Sequence, residues 1–201
     1  MVHFHGITGA VNRAELLAAG YVDREIRRAV EVGALVALAP GVVIPRELLT
    51  EDTPEQRHRH RALAAIRRDA RSPEVRDAKH TRALALSSAG AVLGLPVWGL
   101  DTSRVSIADS GRTPGTRTTS RTRLMTDTRP PALVDVDGVL VVSPARTVVD
   151  IARTSARIPA IAVGDAALHA GLCTVEDLQN ELDLLTGMRG RAEAIRVIGR
   201  C

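Results

Sequence analysis

A chain of 201 residues of which 45% are apolar has enough material for one ordinary packed unit or two small ones, which sets aside disorder as its default state. Its net charge of +4 comes from 27 basic residues against 23 acidic ones, and Lys79 is the single lysine, so anions would be met by forked guanidinium groups. Aromatic residues make up only 1% (Phe4, Tyr21, Trp98), which argues against RNA or single-strand recognition by base stacking, and two distant cysteines, Cys173 and Cys201, exclude a zinc or disulfide framework.

The first 45 residues carry a helix-turn-helix pattern followed by a wing. Asn12 is a good N-cap for a helix through Glu15, Leu16 and Leu17 to Ala19, stopped by Gly20. A second helix starts at Asp23, whose side chain can accept from the next free amides, and its apolar face is Ile26, Ala29 and Val30. Arg24, Arg27 and Arg28 fall on the exposed N-terminal part of that helix, the part that enters the major groove in this motif. After Gly33, residues 35–39 and 42–44 read as two short strands around Pro40-Gly41.

Downstream, a polar segment ending at Pro54 caps a linking helix over about 54–70, with Leu63, Ala64 and Ile66 on its apolar side. Residues 74–82 are polar. A helix of small residues is expected from about Leu84 to Leu93, buried against a sheet, with Ser87 and Ser88 satisfied internally. Alternation at 104–108 and 132–136, with Asp137-Gly138 before Val139–Val142, predicts a small antiparallel sheet within about 103–142. From Ser143 the period turns helical, giving helices at Val148–Ala152, Ile158–Leu168, Thr174–Leu185 and Gly190–Ile198, the third with a capping box from Thr174 to Asp177. The expected fold is therefore α+β, with a winged helix-turn-helix over 1–48 and a mixed domain of sheet and flanking helices over 49–201.

Several stretches together resemble a known family. These are Arg13–Gly20, Ile26–Val30, Pro40-Gly41-Val42, Ser87–Pro96 with its A-x-L-G-L-P ending, Val142–Asp150 with its Ser-Pro-Ala-Arg-Thr run, and Asp165–Leu168 with Gly171-Leu172. The chain is similar over nearly its whole length to the AbiEi-type antitoxins of type IV, abortive-infection toxin–antitoxin systems. It also resembles related actinobacterial proteins that carry this module ahead of a very-short-patch-repair-type endonuclease domain. The resemblance implies a winged helix that binds DNA, often the promoter of its own operon, a larger part that contributes to antitoxin action, and a cognate toxin encoded nearby. The wing departs from the family pattern by carrying no charge from Val36 to Ile44, which points to packing on the second domain or on a partner.

Two basic sets are the candidate DNA contacts: Arg13, Arg24, Arg27 and Arg28, and, in the hydroxyl-rich stretch 110–123, Arg112, Arg117, Arg121 and Arg123. About six phosphate contacts would give a salt slope of roughly −5. The opposing reading pairs the first set with Glu25 and Glu31 on a solvated helix face. His58 and His60 are about 200° apart on a helix and do not share an ion, so Arg57, Arg59, Arg61, Arg67 and Arg68 read as a basic helix face or as partners of Glu55 and Asp69. Asp77-Ala78-Lys79 is half of a nuclease motif in a polar context, Arg146 and Asp150 form a structural ion pair, and no catalytic residue, metal or cofactor is expected. The expectation is a cytoplasmic, non-catalytic binder of double-stranded DNA that represses its own promoter; the alternative is the targeting half of an endonuclease.

Overall fold

Among the residues that the computed structural model describes (7, 9–50, 52–69, 80–110, 114–126 and 131–201), the strands gather into two sheets, one of three strands and one of six. The smaller sheet holds β1 (Val11–Asn12), β2 (Leu35–Ala39) and β3 (Val42–Pro45) in the order β1-β3-β2, all antiparallel. Between β1 and β2 lie α1 (Arg13–Ala18) and α2 (Asp23–Glu31), and the β2–β3 hairpin follows them, the element order expected of a winged helix-turn-helix, with β1 added beside the hairpin. Gly20, at φ +93°, takes the left-handed turn between the helices that a side chain would resist. Leu16, Ile26, Ala29, Leu35 and Val43 close the core of this part; full burial of each larger aliphatic contributes about 1.5–3 kcal/mol.

The caps differ from expectation. Asn12 stands at the N-cap of α1, but its Oδ1 accepts nothing; instead Glu15 reaches back and accepts from Asn12 N at 2.7 Å and from Nδ2 at 3.1 Å. Asp23 is the first residue inside α2 and turns away from the amides, while Glu25 accepts from Val22 N at 3.1 Å. A short 3-10 turn (Arg46–Leu49) leads from β3 towards α3 (Pro54–Asp69), which Thr53 and Gln56 cap reciprocally.

Helix α3 is shared by both sheets. Ala64 packs with Ala10 and Val42 of the winged part, and Arg67 Nη1 donates to the Ala10 carbonyl. Ala62 and Ile66 face Leu84, Ile107 and Val141 of the larger sheet.

The larger sheet is mixed rather than small and antiparallel. Its strands are β4 (Arg82–Leu84), β5 (Val105–Asp109), β6 (Gly115–Thr118), β7 (Thr122–Thr126), β8 (Leu133–Val136) and β9 (Val139–Val142), ordered β6-β7-β5-β4-β9-β8. The β4–β9 and β5–β7 pairs are parallel. Leu84 thus belongs to a strand, and α4 (Leu86–Val92) begins two residues after it. Ala83 and Ala85 pack on one face of the sheet and Leu84 on the other, an alternation too short and too poor in β-branched residues to read as a strand. Strand turns into helix through Leu86, a non-glycine residue at φ +49°. Ser87 Oγ donates to the Asp101 carbonyl at 2.7 Å, and Ser88 is enclosed, so both serines are satisfied inside as expected.

Helices α5 (Pro144–Thr154), α6 (Arg157–His169), α7 (Val175–Leu184) and α8 (Arg191–Ile198) follow the expected order. The central α5 places Val148, Val149 and Ile151 against Val163, Leu178, Leu182 and Val197. Ser143 Oγ accepts from Arg146 N at 3.4 Å, and the Thr174–Asp177 capping box is closed in both directions. Among the described residues no helix is long and apolar enough to cross a membrane.

Candidate nucleic-acid interface

Residues of one helix three or four apart share a face, so α2 sorts its arginines by what lies beside them. Arg27 Nη2 donates to Asp23 Oδ2 at 2.5 Å, and Arg13 Nε, from α1, donates to Asp23 Oδ1 at 2.6 Å. The Arg13 bond foremost, with Arg27 adding to it, holds the Asp23 carboxyl below the usual carboxylate range. Arg13 and Arg27 are therefore half-neutralised by one acid. Arg24 and Arg28, four residues apart, are exposed and have no side-chain partner among the described residues. The Glu25 carboxylate that could have answered Arg28 is spent on the cap.

The second basic set lies on the β6–β7 edge hairpin. Arg117 on β6 is exposed, and Arg121 stands at the turn into β7; the side chains of both lack partners among the described residues. Arg123 Nη2 pairs with Asp101 Oδ2 at 2.9 Å. Arg112 lies outside the described residues, as do Asp77, Lys79, His3 and His5.

A groove of about 280 Å³ brings the wing turn of Ala37–Pro40 alongside Arg121, Arg61 and Arg68. The uncharged wing thus packs beside α3 and the larger sheet, and the cations near it come from elsewhere. Arg61 and Arg68, seven residues apart on α3, were legible only as part of a basic helix face. Arg61 Nη2 also donates to the Thr102 carbonyl at 3.1 Å, which orients the arginine along the groove.

His58, on the same helix, is fully enclosed with its Nε2 3.0 Å from Ser88 Oγ, while His60 Nε2 lies 3.3 Å from Asp52 Oδ2. Among the described residues no group of three or more His, Cys, Asp or Glu side chains is arranged to hold a metal ion. The Ser-Pro-Ala-Arg-Thr run supplies packing. Arg146 Nε donates to Asp150 Oδ2 at 3.0 Å, Arg153 Nε to Asp150 Oδ1 at 2.6 Å, and Arg146 Nη1 lies 3.9 Å from Glu181 Oε2 of α7. Burial pushes the Glu181 carboxyl up from its ordinary value.

Residues 21–198 match the family model of the AbiEi antitoxin C-terminal domain, a span that takes in α2, the strands β2 and β3, the larger sheet and the four C-terminal helices. No curated protein matches the chain.

Proposed function

The chain belongs to the family of the AbiEi antitoxin C-terminal domain, which makes it an antitoxin of a toxin–antitoxin system, and from that premise we propose that it binds double-stranded DNA and represses its own promoter. The observation that carries this reading is the Arg24–Arg28 pair. Two like charges four residues apart on an exposed helix repel by a few tenths of a kcal/mol, and that cost is recovered when a polyanion lies across them. They sit on the second helix of a winged helix-turn-helix, the element that enters the major groove in this motif.

In this reading Arg24 and Arg28 meet the groove and its phosphates, Arg13 and Arg27 stay braced on Asp23, and Arg117 and Arg121 hold backbone beside the wing. The protein works in the cytoplasm, has no catalytic step of its own, and its partners are the duplex and a cognate toxin. Arg112, which lies outside the described residues, and Arg123, after release from Asp101, complete the second set of contacts.

The test is fluorescence anisotropy with the duplex just upstream of the gene and with a scrambled duplex, over a salt series. The intact protein is expected to prefer its own duplex with a steep salt slope. Replacing Arg24 and Arg28 together by Ala should flatten that slope by about 2, at roughly 0.9 per lost phosphate contact. Equal affinity for both duplexes, or an unchanged slope in the double variant, rejects the reading.

A further inference from the structure

The larger sheet has two faces. Helices α3 and α4 cover one, where Leu84 and Ile107 are enclosed. On the other face Ala83, Ala85 and Ala108 form a floor of methyl groups beside Met125 and Val142, and the space above it is a cavity of about 90 Å³. Small side chains at adjacent positions of β4 and β5 leave this space open.

At the α5 end of the cavity, Arg146, Asp150, Arg153 and Thr154 contribute to its wall. Arg153 spends only Nε on Asp150; its two Nη groups have no partner among the described residues and are not sealed off. The Thr154 hydroxyl donates to the Asp150 carbonyl at 2.6 Å, which keeps that end of the helix in place. A forked donor with its Nη edge open, over an apolar floor, is suited to a carboxylate with a small hydrocarbon body.

Charge and size narrow the ligand further. Among the described residues that line the cavity, Asp150 and Asp109 balance the two arginines, so a dianion would meet two carboxylates. One open guanidinium edge matches one negative charge. An apolar cavity of about 150 Å³ holds benzene, so this smaller one takes a short branched chain. A second observation lies at its rim: Leu86, which also lines the cavity, is held at φ +49°, and such strained residues gather at ligand sites.

We infer that this cavity is a binding site for a small aliphatic monocarboxylate, its carboxylate on the open edge of Arg153 and its branched body on the Ala83–Ala85–Ala108 floor. Nothing in this depends on DNA binding, and its test uses no duplex.

The protein is labelled with ¹³C at its methionine methyls. Met125 reports from the cavity and Met188, packed against the C-terminal helices, serves as control. The probe is isovalerate, titrated against its neutral amide and against inorganic phosphate. Isovalerate should shift the Met125 signal in a saturable way without moving Met188, with a millimolar dissociation constant, the scale for about seven non-hydrogen atoms. The amide and phosphate should bind at least about tenfold more weakly, as should Arg153→Leu with isovalerate. Ala108→Leu fills the floor, keeps the arginine cluster and should abolish the shift, which holds the proposal to account even if Arg153→Leu fails to fold. No saturable shift, equal binding of acid and amide, or undiminished binding to Ala108→Leu overturns it.

Discussion

His58 is an imidazole taken out of water at the meeting of α3, α4 and β5. Its Nε2 lies 3.0 Å from Ser88 Oγ, which also accepts from Ser106 N at 3.0 Å. Burial above all, with Arg61 next and Asp101 opposing, pushes its pKa from 6.5 to about 4. An unfolded chain binds a proton at this ring below about pH 6.5 while the fold refuses it until about pH 4, so this stability is present above the first value and is lost as pH falls to the second. The loss is about 3 kcal/mol in all. Asp69 and Glu181, whose burial raises their carboxyl pKa values, act in the opposite sense, so the wild-type curve alone is not diagnostic. Urea unfolding of wild type and His58→Gln should show a gap that narrows by about 2–3 kcal/mol between about pH 7 and pH 4, and a constant gap contradicts the assignment. In sequence His58 looked like any member of a basic helix, because the groups that enclose it lie on α4 and β5, far along the chain. Asp23 is the opposite case, a partly exposed acid between two cations. Asp23→Ala should leave stability little changed, yet free Arg13 and Arg27 and tighten duplex binding at low salt; weaker binding in that variant would show that the acid positions the arginines instead.

Among the elements, α5 has the most to hold. Its buried Arg146 and half-buried Arg153 converge on Asp150, with Glu181 brought in from α7. Removing one partner of a buried ionic cluster leaves the others uncompensated, so Asp150→Ala should cost about 3–5 kcal/mol, measured by denaturant unfolding; a loss under about 1 kcal/mol would mean that water reaches the cluster. This ion pair was legible as an i,i+4 spacing within a Pro-started helix. The four C-terminal helices were legible for a related reason, since each combines an apolar period of 3.6 with a cap or a glycine stop, signals contained within one segment. Strands β1 and β4 were not. Val11–Asn12 is a strand because β3 lies beside it, and Arg82–Leu84 because β5 and β9 flank it. Two or three residues carry no period of their own, so their state is decided by partners. The basic groove beside the wing escaped notice likewise, because it joins side chains from α3, β7 and the wing.

For the molecule as a whole, α3 decides how the parts respond together. One face of this helix closes the winged part through Ala64 and another closes the larger sheet through Ala62 and Ile66. Neither core is complete without it. Thermal unfolding followed by the fluorescence of Trp98, beyond the larger sheet's α4, and by far-ultraviolet circular dichroism should therefore give coincident transitions. An early dichroic loss with Trp98 unchanged would show that the winged part melts alone.

The larger sheet also carries a line of division, which α3 bridges where Ala62 and Ile66 pack with Val141 of β9. The parallel contact between β4 and β9 rests on one register pair, Leu84 with Val141, whereas the β6–β7 and β8–β9 hairpins are each held by four. On one side of that line lie strands ending at Thr126; on the other lie β8, β9 and every helix after Leu133. The order of the chain and the order of the sheet thus divide at the same place. Leu95, with Leu86 and Leu93 beside it, packs against α5 across the line and offers an apolar adhesive. Two polypeptides made separately, one ending near Thr126 and one starting near Pro131, carry complementary halves of a single sheet, which makes the protein a natural subject for reconstitution from fragments.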